Sequence, residues 1–195
     1  MISQPKNWES VQAYSDYPKL PVGAYVCRVL KVIINPLPQG GNVMQLGFDI
    51  DEGEYKDFYR AEFADNTARD KKWKGTMRIY LPREDGSEQD ENNKRTFKGM
   101  VEAFESSNPG YRCFTNGNFD EKTLLGKQVG VLFRNVEWAF DGRRGWAVRP
   151  YRCLDANRVR SGSFYLPKDK PLPERAQPFT QDDGYTAVED NDLPF

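Results

Sequence analysis

Val22-Gly23-Ala24-Tyr25-Val26-Cys27-Arg28-Val29-Leu30-Lys31-Val32-Ile33-Ile34 is the stretch whose reading decides the fold. After Gly23 it contains no breaker and is rich in β-branched side chains, which predicts a long first strand. Pro36, Pro38, Gly40 and Gly41 then turn the chain. Met44, Leu46, Phe48 and Ile50 alternate with Val43, Gln45, Gly47 and Asp49, the period of a second strand with one buried face. Asp51-Glu52-Gly53 reads as a tight turn into a third strand over roughly residues 55–63, paired with the second as a hairpin.

Residues 65–93 interrupt this pattern with a basic-aromatic piece (69–81, RDKKWKGTMRIYL) and an acidic loop (84–93, EDGSEQDENN). Phe97, Met100, Val101 and Phe104 then recur at i, i+3, i+4 and i+7, one apolar helical face. Asn92 or Asn93 is the expected cap, and Asn108-Pro109-Gly110 the expected end. Gln128–Trp138 reads as a fourth strand, Asp141-Gly142 as its turn and Trp146–Leu154 as a fifth. Three strands, a helix and two more strands make a mainly β chain in the order of the OB-fold, a five-stranded barrel with its helix between strands three and four. A different small barrel or an α+β sandwich shares that order.

The 195 residues suit one domain plus some uncored sequence. Mean hydropathy is −0.79 and no run approaches a membrane span. The first residues, Met1 to Lys6, lack the apolar stretch of a secretory signal, so the expectation is a cytoplasmic protein. The three cysteines, Cys27, Cys113 and Cys153, are odd in number and form no C-x-x-C pair, and there is no histidine. This composition argues against a disulfide framework, excludes zinc fingers and histidine-based triads, and leaves the cysteines as buried small hydrophobes. The domain is expected over residues 21–160, behind an N-terminal arm (1–20) carrying Trp8, Tyr14 and Tyr17. From residue 161 periodicity stops and prolines recur, predicting a disordered tail. Residues 182–195 hold five acids and no base, so the rest of the chain is +4 although the whole is −1.

The tail ends Asp190-Asn191-Asp192-Leu193-Pro194-Phe195. This resembles the acidic tip of bacterial and phage single-stranded DNA-binding proteins, in which aspartates lead to an aliphatic residue, proline and a terminal phenylalanine. Asn191 stands for one aspartate, and Leu193 where isoleucine is common. The Gly23–Ile50 region and Leu125-Gly126-Lys127 also look like phage-encoded proteins of this type, more loosely. The resemblance implies a protein that coats single-stranded DNA in a bacterial or phage-infected cell and recruits replication, recombination or repair proteins. Asp190, Asp192, Leu193, Pro194 and Phe195 would form the partner-binding tip. The physics agrees: a terminal Phe joins a ring to a carboxylate, and a pocket with an apolar floor and a cationic lip holds both. The plainer reading is a solubilising tail, for which Leu-Pro-Phe is poorly suited.

Single-strand binding needs cations along a groove and rings for bases to stack on. Lys71, Lys72, Trp73, Lys74 and Arg78 supply both in one segment, with Arg69 and Tyr80 near them. Trp138, Arg143, Arg144, Trp146 and Arg149 supply both in a second, with Arg134, Phe140, Tyr151, Arg152, Arg158 and Arg160 interleaved or following. Phe58 and Arg60, with Tyr59, fall on the expected third strand. Each aromatic taken singly reads first as core packing, and the basic clusters also read as an ordinary solvated face.

Two alternatives remain at this level. A metal-dependent nuclease could use Asp49, Asp51 and Glu54-Tyr55-Lys56, though the acid-x-Lys pattern also occurs at Asp70-Lys71-Lys72 and Asp120-Glu121-Lys122. A tail-bearing adaptor without DNA affinity is the other. No phosphate-cradling glycine loop is present. The expectation is a non-enzymatic binding protein with no catalytic residues, cofactor or metal; the reading admits a homo-oligomer.

Overall fold

In the computed structural model, residues 3–6, 8 and 19–173 are described. Strand β1 (Ala24–Pro36) is the backbone of the molecule, as its breaker-free, β-branched sequence over Ala24–Ile34 predicts. Its first part pairs with β6 (Gln128–Phe140), from Ala24 opposite Leu132 to Arg28 opposite Gln128. From Cys27 onward it also pairs with β2 (Asn42–Ile50). A register shift between Val29 and Lys31 leaves Leu30 as an extra, exposed residue.

The third strand is not where the sequence reading put it. Residues 55–63 do not pair with β2; a turn leads instead into helix α1 (Phe58–Asp65). The cause is a tertiary contact. The Asp49 carboxylate on β2 accepts hydrogen bonds from the backbone N–H groups of Tyr59 (2.9 Å) and Arg60 (3.0 Å), donors that a helix start leaves without intrahelical partners. The partner of β2 is β3 (Thr76–Tyr80), whose Met77 and Ile79 point inward while Arg78 and Tyr80 are exposed.

Helix α2 (Glu88–Ser107) starts earlier than Asn92 or Asn93. Ser87 is its cap, its side chain accepting from the Asp90 N–H, and Glu88, Asp90 and Glu91 fill the first turn. Acids are favoured there by the helix dipole, so half of the acidic loop is helical. Met100, Ala103 and Phe104 are buried against the sheet, and Asn108 ends the helix as expected. A small ribbon of β4 (Phe114–Thr115) and β5 (Asn118–Phe119) and a 3₁₀ turn (Glu121–Leu124) lead into β6. The Asp141-Gly142 turn, with φ of 47° and 72°, joins β6 to β7 (Arg143–Leu154). Helix α3 (Ala156–Arg160) follows.

The result is a mixed α/β fold around a five-stranded antiparallel sheet in the order β3-β2-β1-β6-β7, with α2 inserted between the third and fourth strands of that sheet. The sheet is open: β3 and β7 touch but form no ladder, so a closed five-stranded barrel is not what the hydrogen bonds describe. Cys27, Met44, Leu46, Phe48, Ile50, Val129, Val131 and Phe133 fill the space under α2. No described helix is long and apolar enough to cross a membrane.

Candidate nucleic-acid interface

Beyond Asn135 and Val148 the β6–β7 hairpin leaves the core and becomes a two-stranded ribbon. Its register from Phe133 to Phe140 is regular, so alternate residues share a face. Arg134, Val136, Trp138 and Phe140 lie on one side, with Arg149, Ala147, Gly145 and Arg143 directly opposite them. Glu137, Ala139, Arg144 and Trp146 lie on the other. Trp138, Trp146 and Tyr151 are each about half exposed, and Phe140 is 79% exposed. Arg144 pairs with Glu137 at 3.1 Å. Arg143 and Arg149 have no carboxylate within ion-pair distance among the described residues. Large rings left in water beside unpaired guanidinium groups are not what a core requires.

The base of the ribbon continues the theme. A register shift at Leu132/Phe133 makes Tyr151 an extra residue in β7. The Arg134 guanidinium lies 4.0 Å from the Tyr151 ring centroid. Tyr151 and Arg152 also border a cavity of about 660 Å³ in the seam between β3 and β7, floored by α2 and flanked by Arg78, Arg95 and Arg158. Glu102 and Asp155 are its acids, so the seam is cationic.

The first basic-aromatic segment divides in two. Trp73 is half-buried, donates its indole N–H to the Phe48 carbonyl (3.0 Å) and packs on Phe63, so it braces the loop after α1. Lys71 lies 4.5 Å from the Phe63 ring centroid and Lys74 pairs with Glu62. Lys72 is half-buried, also in the loop. Arg78 alone of the five assigned residues stands on a strand, beside Tyr80. Phe58 and Arg60 are not on a sheet face at all: Phe58 sits in the core's aromatic cluster with Tyr55 and Tyr59, and Arg60 pairs with Asp57 on α1.

The sheet face opposite the core sets Arg78 and Tyr80 beside Ile33, Val43 and Gln45, which the sequence reading did not assign to a site. Ile33, Gln45 and Arg78 are cross-strand neighbours on it, as are Val43 and Tyr80. Gln45 is buried on this outer face, and its amide nitrogen has no hydrogen-bond partner among the described residues. The strict alternation of Thr76-Met77-Arg78-Ile79-Tyr80 was the available signal, hidden inside a segment read for its charge.

Two of the three acids of the nuclease alternative, Asp49 and Asp51, are occupied elsewhere. Asp49 caps α1, and burial raises its pKa against three backbone hydrogen bonds. Asp51 binds Arg28 at 2.6 Å. Glu54 and Lys56 are exposed in the turn before α1. Among the described residues no group of three or more Cys, Asp or Glu is placed to hold a metal ion. Burial pushes the Cys27 thiol up and the Cys153 thiol up to about 12, so both stay protonated. Asp190, Asp192, Leu193, Pro194 and Phe195 lie outside the described residues. Compared with known proteins, the chain matches no family model and no curated protein.

Proposed function

We propose that this chain binds single-stranded DNA without strong sequence preference and carries an acidic C-terminal tip for docking replication, recombination or repair proteins. The β6–β7 ribbon carries the reading: Trp138, Phe140 and Tyr151 stand in water beside Arg134, Arg143 and Arg149, and Trp146 stands in water on the opposite face beside Arg144. Rings of this kind stack on any base, and the cations follow the phosphates, which carry no sequence information. The strand order and the helix between the third and fourth sheet strands support an OB-type barrel opened along the β3–β7 seam. In that frame Arg78, Tyr80 and the cationic seam line the path from the sheet to the ribbon.

The test is binding of labelled oligonucleotides across a salt series. Log affinity for a single strand is expected to fall with log salt at about −0.7 per neutralised phosphate. Equal affinity for duplex of the same sequence, or none for either, overturns the proposal. Cleavage on adding Mg²⁺ supports the nuclease alternative.

A further inference from the structure

The segment after α3, which by sequence is only a tether, is built onto the ribbon. Lys170 N–H donates to the Asn135 carbonyl and Glu137 N–H donates to the Lys170 carbonyl, each at 2.9 Å. This parallel bridge, centred on Val136, occupies the edge of β6 that β1 leaves open. Asn135 donates its side-chain N–H to Asp169 (3.1 Å), and Leu172 N–H donates to the Glu137 carboxylate (3.0 Å). Pro167, Pro171 and Pro173 restrict the same stretch, so little order remains to be gained when something binds there.

Between this strap and the Tyr151 bulge lies a cavity of about 460 Å³, bordered by Arg134, Tyr151, Arg152, Tyr165, Lys168 and Lys170. Tyr165 is 87% exposed. None of the four cations is within ion-pair distance of a carboxylate among the described residues. The one acid on the cavity wall, Asp169, is engaged by Asn135. Four uncompensated cations around two phenol rings match a phosphodiester with its base far better than an apolar peptide.

We infer that the strap and the Arg134–Tyr151–Arg152 patch form a second contact region for single-stranded DNA, continuous with the ribbon, with phosphates on Lys168, Lys170 and Arg152 and a base against Tyr165. The inference rests on the single-strand reading above and extends the site onto residues 165–170.

The experiment measures affinity and salt slope of the full chain for a long oligo-dT, by fluorescence anisotropy. The variants are Tyr165→Ala, the double Lys168→Ala/Lys170→Ala, and Trp138→Ala. A charge-matched control, Lys98→Ala/Lys122→Ala, removes two lysines from α2 and the 3₁₀ turn. The strap side chains are exposed, so melting temperatures should match the wild type. Tyr165→Ala is expected to bind about tenfold more weakly. The strap lysine double should also weaken binding and flatten the salt slope by about 0.7 per lost phosphate contact, well beyond the control. If Trp138→Ala weakens binding while both strap variants bind like the wild type, or the lysine double loses no more than the control, the strap region is overturned and the ribbon survives. If the wild type does not bind, both readings fall.

Discussion

The indole of Trp138 lies across Gly145, its cross-strand partner on the ribbon, so closely that a Cβ at residue 145 would come within 2.8 Å of the ring. The ring rests on bare backbone with part of its surface in water, which is how a stacking platform must be held. Gly145→Ala should therefore push the ring out of place. The ribbon is outside the core, so the melting temperature should barely move, while single-strand affinity drops toward that of Trp138→Ala. Retained affinity in the glycine variant would show that the ring's resting position does not matter.

Trp73 predicts the opposite pattern. Its hydrogen bond to Phe48 and its packing on Phe63 tie the loop to the sheet. Trp73→Ala should destabilise the fold by about 3 kcal/mol, read by chemical denaturation. Under conditions where it stays folded, its DNA affinity should remain near wild type. A folded variant of unchanged stability that has lost binding would return Trp73 to the interface.

Acid should loosen one corner of the fold. The hydrogen bonds from Arg160, with its charge, hold Glu52 below its ordinary value of 4.5. Burial disfavours the charged form of Asp51, but Arg28 and Gln128 outweigh it and hold its pKa below 3.8. Both carboxylates are depressed in the folded state. Their stabilisation is therefore complete above the ordinary values and is lost as pH falls through the lower, folded ones. Glu52→Gln should melt earlier than wild type at neutral pH, and the gap should narrow as pH falls below the ordinary value of 4.5 and through the lower, folded-state one. A gap that persists unchanged into strong acid would show that the pair contributes no charge-dependent stability.

The acidic tail makes a separate prediction. Deleting residues 182–195 takes the chain from −1 to +4, so DNA binding should hold or strengthen. Recovery of replication, recombination or repair proteins from cell lysate should be lost on deleting Phe195, and also on adding one residue after it, which keeps the ring but moves the carboxylate. Equal recovery by all three forms would reduce the tip to a solubilising tail.

Much of the sheet is legible in the amino-acid sequence. Val26 to Ile34, Val43 to Ile50, Gln128 to Trp138 and Trp146 to Leu154 announce themselves by composition, alternation and the Asp141-Gly142 turn, because a strand's pattern is local. The α2 face of Phe97, Met100, Val101 and Phe104 is equally local. Residues 55–63 mislead because aromatic side chains suit a strand as well as a helix. Tyr55, Phe58, Tyr59 and Phe63 in fact follow helical spacing.

What the sequence by itself determined is the set of long strands, the main helix, and two stretches rich in both rings and cations. Tertiary structure alone decided which of those rings face water. Asp49 reaches across ten residues to start α1, and that contact moves Phe58 and Arg60 off the sheet and gives the third-strand position to Thr76–Tyr80. Trp73 turns inward because the Phe48 carbonyl is there to receive its N–H, whereas Trp138 stays outside because its strand has already passed beyond the core. Composition reads the same for both tryptophans. Only the distance of each from the packed interior, which depends on contacts far apart in the chain, ties one into the fold and leaves the other in water.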